Sequence, residues 1–233
     1  MRGDNVFGIV KKIKLSRRDM LRLLSMKRDM EAGYSRLSYS QEGEDLIVAT
    51  LLEYVRRGFF IDVGAHHPKR FSNTYVLYQR GWSGINIDPT PGCMAAFRRL
   101  RPRDINLEIG VGRESAERRF FMFQEGALNT FDVGLANQRR DAGRPFVGEY
   151  KIRTQPLRDI LQEHCRQPVE FLNVDAEGYD LEVLQSNDWN THRPRIVCVE
   201  ALRGDEDEAN GWLKDRGYML VALTGRSRIY ERR

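Results

Sequence analysis

The residues Phe59-Phe60-Ile61-Asp62-Val63-Gly64-Ala65-His66-His67-Pro68 join an apolar run to an acid, a glycine and two histidines. A second run, Gly84-Ile85-Asn86-Ile87-Asp88, ends in another acid 26 positions after the first. Glycine permits a turn in which backbone approaches a ligand closely. An ionised carboxylate accepts through two oxygens, so Asp88 suits the paired hydroxyls of a ribose. The spacing leaves room for one crossover helix between two parallel strands. Together these features point to an adenosine-type cofactor. Further acids end later apolar runs: Glu108, then Asp175 and Glu177, then Glu200. Ligands of doubly wound sheets bind at the carboxyl ends of the strands. Asp62, His66, His67, Asp88, Glu108, Asp175, Glu177 and Glu200 therefore make up the candidate site.

Gly64 is not followed by the other glycines of a dinucleotide fingerprint, because His66, His67 and Pro68 stand in their place. This disfavours nicotinamide and flavin dinucleotides, whose pyrophosphate needs a glycine-lined helix start. S-adenosylmethionine has no phosphate and tolerates such a turn. Its carboxylate would take hydrogen bonds from Ser72, Asn73 and Thr74 at the next helix start, where Ser72 or Asn73 serves equally well as an N-cap. Plainer roles are open for other candidates. Asp62 would order the loop after the first strand, Glu177 would cap the helix after Gly178, Glu200 would be an exposed strand end, and Trp82 would be core.

The elements that position these residues alternate. Helical spacing of Leu46, Ile47, Leu51, Leu52 and Val55 predicts a helix over 42–56. Ser40 with Glu44 downstream is a near capping box ahead of it. Strands are expected at about 59–63, 85–88, 105–109, 117–123, 149–154, 169–174, 195–200, 218–223 and 227–231. Helices are expected at about 73–80, after Pro91, and at 156–165, 180–186 and 206–216. Apolar strands between helices imply a doubly wound, mostly parallel sheet. Thr224-Gly225-Arg226 marks a closing hairpin, and so an antiparallel edge. Residues 124–147 are polar and weakly patterned, and read as a long binding loop or lid. Within it, Asn129-Thr130-Phe131 would contact cofactor or acceptor, and Arg139, Arg140 and Arg144 would bind an acceptor anion or form a solvated cluster.

A length of 233 residues holds one α/β domain plus an appendage. Residues 1–33 carry nine Lys/Arg against four Asp/Glu, which accounts for the whole net charge of +5. The remaining 200 residues are balanced, which argues against a nucleic-acid groove across the core. Residues 5–31 read as one helix or two short ones, because apolar positions from Val6 to Met30 recur at helical spacing among the basic residues of this leader. Such a helix lies on an anionic membrane, packs on a partner subunit, or covers its own domain. Residues 1–36 are read as leader and 37–233 as the domain. No run of 18 apolar residues and no secretion signal is present, and a cytoplasmic location is expected, with a membrane-peripheral one as the alternative. Cys93, Cys165 and Cys198 lack paired metal-type spacing and read as free thiols.

An ordered set of segments carries a resemblance. It comprises Tyr39-Ser40-Gln41-Glu42-Gly43-Glu44-Asp45, Ile61-Asp62-Val63-Gly64-Ala65-His66, Ser72-Asn73-Thr74, Gly81-Trp82-Ser83-Gly84, Ile87-Asp88-Pro89, the stretch from Phe171 to Tyr179 and the stretch from Pro194 to Glu200. Over residues 39–201 the chain resembles the FkbM-type methyltransferases. One departure is Asn173, where lysine is more usual in that family. The resemblance implies a class I, Rossmann-like methyltransferase fold. It also implies S-adenosylmethionine as cofactor, and methyl transfer to a hydroxyl of a saccharide or natural-product scaffold. It implies cofactor contacts from Gln41, Asp62, Gly64, Ala65, Ser72, Asn73, Asp88 and Asp175. His66, Asp175 and Glu177 are the candidates for removing the hydroxyl proton, with His67 as a lesser one. A carboxylate holding a divalent cation is an alternative that no ligand spacing indicates. Two rivals stand beside this reading: a nicotinamide-dependent oxidoreductase, and a non-catalytic module that docks through its leader.

Overall fold

The structure, a computed structural model, describes residues 16–200 and 206–233. The chain divides into two units, Met1–Leu37 and Ser38–Arg233. The first contains α1 (Arg17–Glu31), whose start is fixed by a capping box. The Ser16 hydroxyl accepts from the Asp19 N–H at 3.1 Å, and the Asp19 carboxylate accepts from the Ser16 N–H at 3.3 Å. None of its residues is buried. Residues 5–15 of the expected leader helix lie outside the described residues.

The second unit runs α2 (Glu44–Leu51), β1 (Phe59–Val63), α3 (Tyr75–Gln79), β2 (Ser83–Ile87), α4 (Met94–Leu100), β3 (Ile105–Leu107), β4 (Gly110–Val111), β5 (Ala116–Phe123), α5 (Val133–Asp141), β6 (Phe146–Gln155), α6 (Leu157–His164), β7 (Phe171–Val174), α7 (Asp180–Gln185), β8 (Ile196–Glu200), α8 (Glu206–Lys214), β9 (Tyr218–Leu223) and β10 (Ser227–Arg232). Seven strands form one sheet in the order β3-β2-β1-β7-β8-β10-β9. All pairs are parallel except those of β10, which runs antiparallel to both β8 and β9. The closing hairpin is therefore present, with its antiparallel strand one place in from the edge. After β3 the chain crosses to the other side of β1, so the switch point lies between β1 and β7, where a ligand crevice is expected.

The sheet is buried on both faces. Phe59, Ile61 and Val63 pack with Leu157, Ile160, Val183 and Leu213 on one side. Phe60 packs with Val48, Leu52, Val76, Leu77 and Trp82 on the other. Trp82 is core, as expected, at 1% exposure. Asp62 shares the face of Phe60, since side chains alternate along a strand. There it belongs to a row that crosses five strands: Asn106 beside Asn86, Asn86 beside Asp62, Asp62 beside Asn173, and Asn173 beside Cys198. The row is bonded within itself. Asn86 donates to the Asn106 Oδ1 at 2.8 Å, and Asn173 donates to the Asp62 Oδ1 at 2.9 Å.

Two features correct the sequence reading. Residues 124–147 are not one long loop, because α5 lies within them, started by Asp132, whose Oδ1 accepts from the Leu135 N–H at 2.6 Å. Only Ala136 of this helix is buried, so it carries no apolar stripe for the sequence to reveal. The strands β4, β5 and β6 do not join the main sheet but form a second one in the order β4-β6-β5. At the start of α2, Gly43 in a left-handed conformation takes the N-cap position, and the Ser40 hydroxyl instead donates to Asp45 at 2.8 Å.

Candidate active site

A cavity of about 240 Å³ opens at the carboxyl ends of β1, β2, β7 and β8, with β5 and the segment 125–131 on its far wall. Gln41, Asp62, Gly64, Ala65, His66, Ser72, Asp88, Asp175 and Glu177 all line it, and so does Glu200. Asn73 does not; its amide donates to the Asn173 Oδ1 at 2.9 Å, behind the cavity wall. His67 is also absent from the wall. Its Nδ1 accepts from the N–H groups of Lys69 and Arg70, at 3.1 and 2.9 Å, and so closes a turn. Glu108 lies outside the lining too. Ser72 lines the cavity, and its hydroxyl accepts from the Tyr75 N–H at 3.1 Å, although the N-cap position of α3 is taken by Thr74.

The backbone around the cavity is held in unusual conformations. The positive-φ non-glycine residues among those described are His66 (φ 51°), Phe71 (φ 61°) and Glu177 (φ 51°). All three line the cavity. Such conformations cost about 1 kcal/mol or more each and persist where surrounding contacts over-determine them. The contacts are visible here. The His66 N–H donates to Asp88 Oδ2 at 2.8 Å, and the Glu177 carbonyl accepts from the Thr130 hydroxyl at 2.7 Å. Gly64, at φ 78°, sits against the carbonyl of Asp175.

Asp88 ties two loops together. Its Oδ2 holds the His66 N–H, and its Oδ1 accepts from the Thr90 N–H at 2.8 Å. The Cys93 thiol also donates to Oδ1 at 3.6 Å, so Oδ2 is the oxygen that retains a lone pair for a ligand. His66 is neutral at physiological pH, since burial and the Arg70 guanidinium lower its pKa against the pull of Asp88 and Glu125. Its Nε2 lies 3.3 Å from the Arg70 Nη1, which has hydrogen only to give. The proton is therefore on Nδ1, and His66 has no free lone pair for a substrate proton. Arg70 also forms a two-pronged pair with Glu125, at 3.0 and 2.8 Å, across the cavity rim. That pair is a feature the sequence reading missed: it joins residues 55 positions apart with no motif around either.

The deepest part is acidic. Burial raises the pKa of Asp175, and Glu177 and Asp180 raise it further, while a hydrogen bond from Glu200 opposes them. Glu200 is pushed up to about 12, chiefly by burial and then by Asp175. Both carboxyls are therefore held above the ordinary carboxylate range, chiefly by burial. Glu177 is also raised by burial, but Arg139 offsets this through an ion pair. Of the three loop arginines, Arg139 is thereby engaged inside the site, whereas Arg140 lies over the Phe146 ring at 4.9 Å. None of the three arginines lines the cavity itself, Arg139 reaching it only through Glu177, while Asn129 and Phe131 do line it. Asp175, Glu177 and Glu200 each place an oxygen within 4.8 Å of the others, the one group of metal-ligand type among the described residues. The cluster sets a pH dependence. Asp180 is pushed up to about 7, mainly by burial, although it accepts from the Ala176 N–H at 3.0 Å. Its folded pKa exceeds the unfolded value of about 4, so the folded chain binds more protons and stability falls as pH rises from about 4 to about 7. Thermal midpoints should decline across that window, and less steeply in Asp180→Asn; midpoints rising through it in both proteins would contradict the assignment.

The family described as the methyltransferase FkbM domain matches residues 62–220 of the chain. No curated protein matches. Among solved structures, a methyltransferase from Geobacter sulfurreducens is 12% identical, with 94% of this chain and 93% of that chain covered and a TM-score of 0.45. The precorrin-6y C5,15-methyltransferase from Geobacter metallireducens is 11% identical, with 81% and 88% covered and a TM-score of 0.42. An O-methyltransferase from Bacillus cereus in complex with SAH is 9% identical, with 94% and 92% covered and a TM-score of 0.40.

Proposed function

Because the chain belongs to the FkbM methyltransferase family and is an S-adenosylmethionine-dependent methyltransferase, we propose that it methylates a hydroxyl, and that the hydroxyl belongs to a saccharide or glycoconjugate. Oxidoreduction with a nicotinamide and a purely docking role both give way to methyl transfer. The cavity suits the cofactor on three counts. Asp88 keeps acceptor capacity beside the β2 end, Gly64 brings bare backbone to the switch point, and Ile109 and Val111 offer apolar surface for a base. Gln41, Asp62, Ala65 and Ser72 complete the group of residues that would hold it.

The observation that carries the acceptor assignment is the group of Asp175, Glu177 and Glu200, which line the cavity with oxygens within 4.8 Å of one another. An unactivated alcohol needs its proton removed as its oxygen attacks. When bound, the cofactor supplies an electrophilic methyl group on a cationic sulfur. Asp175, made more basic than an ordinary carboxylate by burial, accepts the hydroxyl proton once it is ionised. Glu200, pushed up to about 12 chiefly by burial, stands beside Asp175 in the cavity wall. Glu177, held by Arg139, lends negative charge to the same space. His66 shapes the loop rather than moving the proton, because its lone pair is taken by Arg70. A saccharide is supported by acids that accept from hydroxyls next to aromatic faces: the Phe131 and Tyr179 rings, 5.7 Å apart, both line the cavity.

The test has two parts. Calorimetric titration with S-adenosylhomocysteine should give micromolar binding in the wild type and a loss of about 10- to 100-fold in Asp88→Ala, the span of a charge-assisted hydrogen bond. Equal affinity in both would remove Asp88 from the site. Incubation with a panel of nucleotide-linked and lipid-linked sugars should then yield a methyl ether by mass spectrometry. Methylation confined to amines or carboxylates would overturn the acceptor reading.

A further inference from the structure

Arg101 directly follows α4 and is fully buried, at 0% exposure. Its guanidinium carbon lies 5.0 Å from the Phe60 ring centroid, 5.2 Å from that of Tyr78 and 5.7 Å from that of Phe97. The Nε donates to Asp104 Oδ2 at 2.7 Å. The Nη1 donates to the Thr74 hydroxyl oxygen at 3.0 Å, and more weakly to that of Ser72 at 3.5 Å. The Nη2 is buried without a partner. Burying a cation is costly unless it is paired and bonded, and an apolar side chain would fill the same space more cheaply. The placement calls for a reason other than packing.

The direction of the hydrogen bonds supplies one. A guanidinium only donates. With Arg101 donating to its oxygen, Thr74 gives its own hydrogen to Asp62 Oδ2, at 2.6 Å. The other oxygen, Oδ1, accepts from Asn173. That amide is oriented in turn, because its Oδ1 accepts from Asn73. Every neighbour bonded to the Asp62 carboxylate is therefore a donor. These donors favour the ionised form, against the burial that leaves Asp62 above the ordinary carboxylate range. Asp62 lines the cavity at 2% exposure, with lone pairs still to offer. The partner that suits them is a cation, and the amino-acid end of the cofactor carries an ammonium.

We propose that Arg101 is a positioning residue for cofactor binding, acting through Thr74 to hold Asp62 as an acceptor that faces the cavity. The inference rests on the reading that this cavity holds the cofactor. Several charged or titratable groups act on Asp62. Arg101 favours its ionised form, Asp88 at the end of β2 opposes it, and Asp175 at the end of β7 and Cys198 on β8 are coupled to it. Burial itself raises Asp62, and Arg101, Thr74 and Asn173 pull it back. Loss of the chain of donors therefore moves its protonation to higher pH.

Titration with S-adenosylhomocysteine across pH 5–9 tests this in the full chain, with folding checked by near-ultraviolet circular dichroism. Thr74→Val leaves the Arg101–Asp104 pair in place and removes only the relay. It should weaken binding about 10- to 100-fold, and the pH below which binding fails should rise. Thr74→Ser, which restores a hydroxyl, should return the affinity to within about threefold and restore the wild-type pH profile. Arg101→Lys keeps the charge without the fork and should shift the profile in the same direction as Thr74→Val. Equal affinity and pH profile in wild type and Thr74→Val would overturn the proposal, as would Thr74→Ser behaving like Thr74→Val. A folded wild type that does not bind at any pH overturns the cofactor reading of the cavity, and this inference with it.

Discussion

Gly64→Ala is expected to abolish S-adenosylhomocysteine binding and to destabilise the fold by about 2–5 kcal/mol. Two costs add. At φ 78° the residue occupies the left-handed region, where an alanine Cβ costs about 1–2 kcal/mol. The Cβ would also overlap the Asp175 carbonyl oxygen and stand 2.7 Å from its carbon. These are backbone atoms, not the end of a flexible side chain, so β1 and β7 would have to part. Strain of that kind costs a further 1–3 kcal/mol or so. The separation would fall at the switch point, between the Gly64 N–H bonded to the Ile87 carbonyl at 2.9 Å and the Asp175 N–H bonded to the Val63 carbonyl at 3.0 Å. Gly81 is the control. Its φ is 92°, with nothing within 4 Å of the place an alanine methyl would take, so Gly81→Ala should cost only about 1 kcal/mol and leave binding alone. Urea unfolding and calorimetry on both variants decide the matter. A Gly64→Ala protein that binds normally and matches Gly81→Ala in stability would refute the close approach.

Asp175→Asn is expected to lower kcat by about 10²- to 10⁴-fold, the usual worth of a positioned base. The amide is nearly isosteric, so the loop should keep its shape. In the wild type the rate should rise with pH as Asp175 gives up its proton. Its pKa lies well above the ordinary carboxylate value, so the rise should come later than for an exposed aspartate. Activity is lost as pH falls through that raised pKa, since only the ionised form accepts a proton. The variant should show a flat profile over the same range. Affinity for S-adenosylhomocysteine, measured in parallel, separates loss of chemistry from loss of binding. A variant that retains most of its kcat would shift the role of base to Glu177. A rate that depends on added magnesium and is stopped by a chelator would instead assign the three carboxylates to a cation.

The parts of this arrangement that show in the sequence are those fixed by local pattern. Apolar runs ending in Asp62, Asp88, Asp175 and Glu200 announced the strand ends, and strand ends are where the crevice lies. Gly64 was legible because a turn between a strand and a bound molecule leaves little choice of residue. Other parts depend on pairing across long distances. Arg70 and Glu125 meet across the rim, and neither carries a local mark. Arg101 stands among Arg98, Arg99 and Arg103, where an arginine reads as one more solvated charge, and only the fold reveals that it is enclosed. Helix α5 hid because it buries a single alanine. Asn73 was drawn into the candidate list by its position beside Ser72, although its side chain turns the other way to orient Asn173.

The polar row from Asn106 to Cys198 has a consequence for how the sheet finds its alignment. Side chains on a strand repeat every two residues, so a slip of two keeps each one on its own face. Among apolar strands, such a slip would exchange one greasy contact for another at little cost. Here it would set Asp62 beside Gly84 or Asp88 on one side, and beside Phe171 or Asp175 on the other. A buried carboxylate would then face a ring or a second carboxylate in place of the amide that now donates to it, and such a mismatch is expensive. The observed alignment of β1 and β7 is the one that sets the donating amide of Asn173 beside Asp62. The groups that prepare the cavity for a ligand thus also work as a key cut into the sheet: misaligned strands are rejected before any ligand arrives.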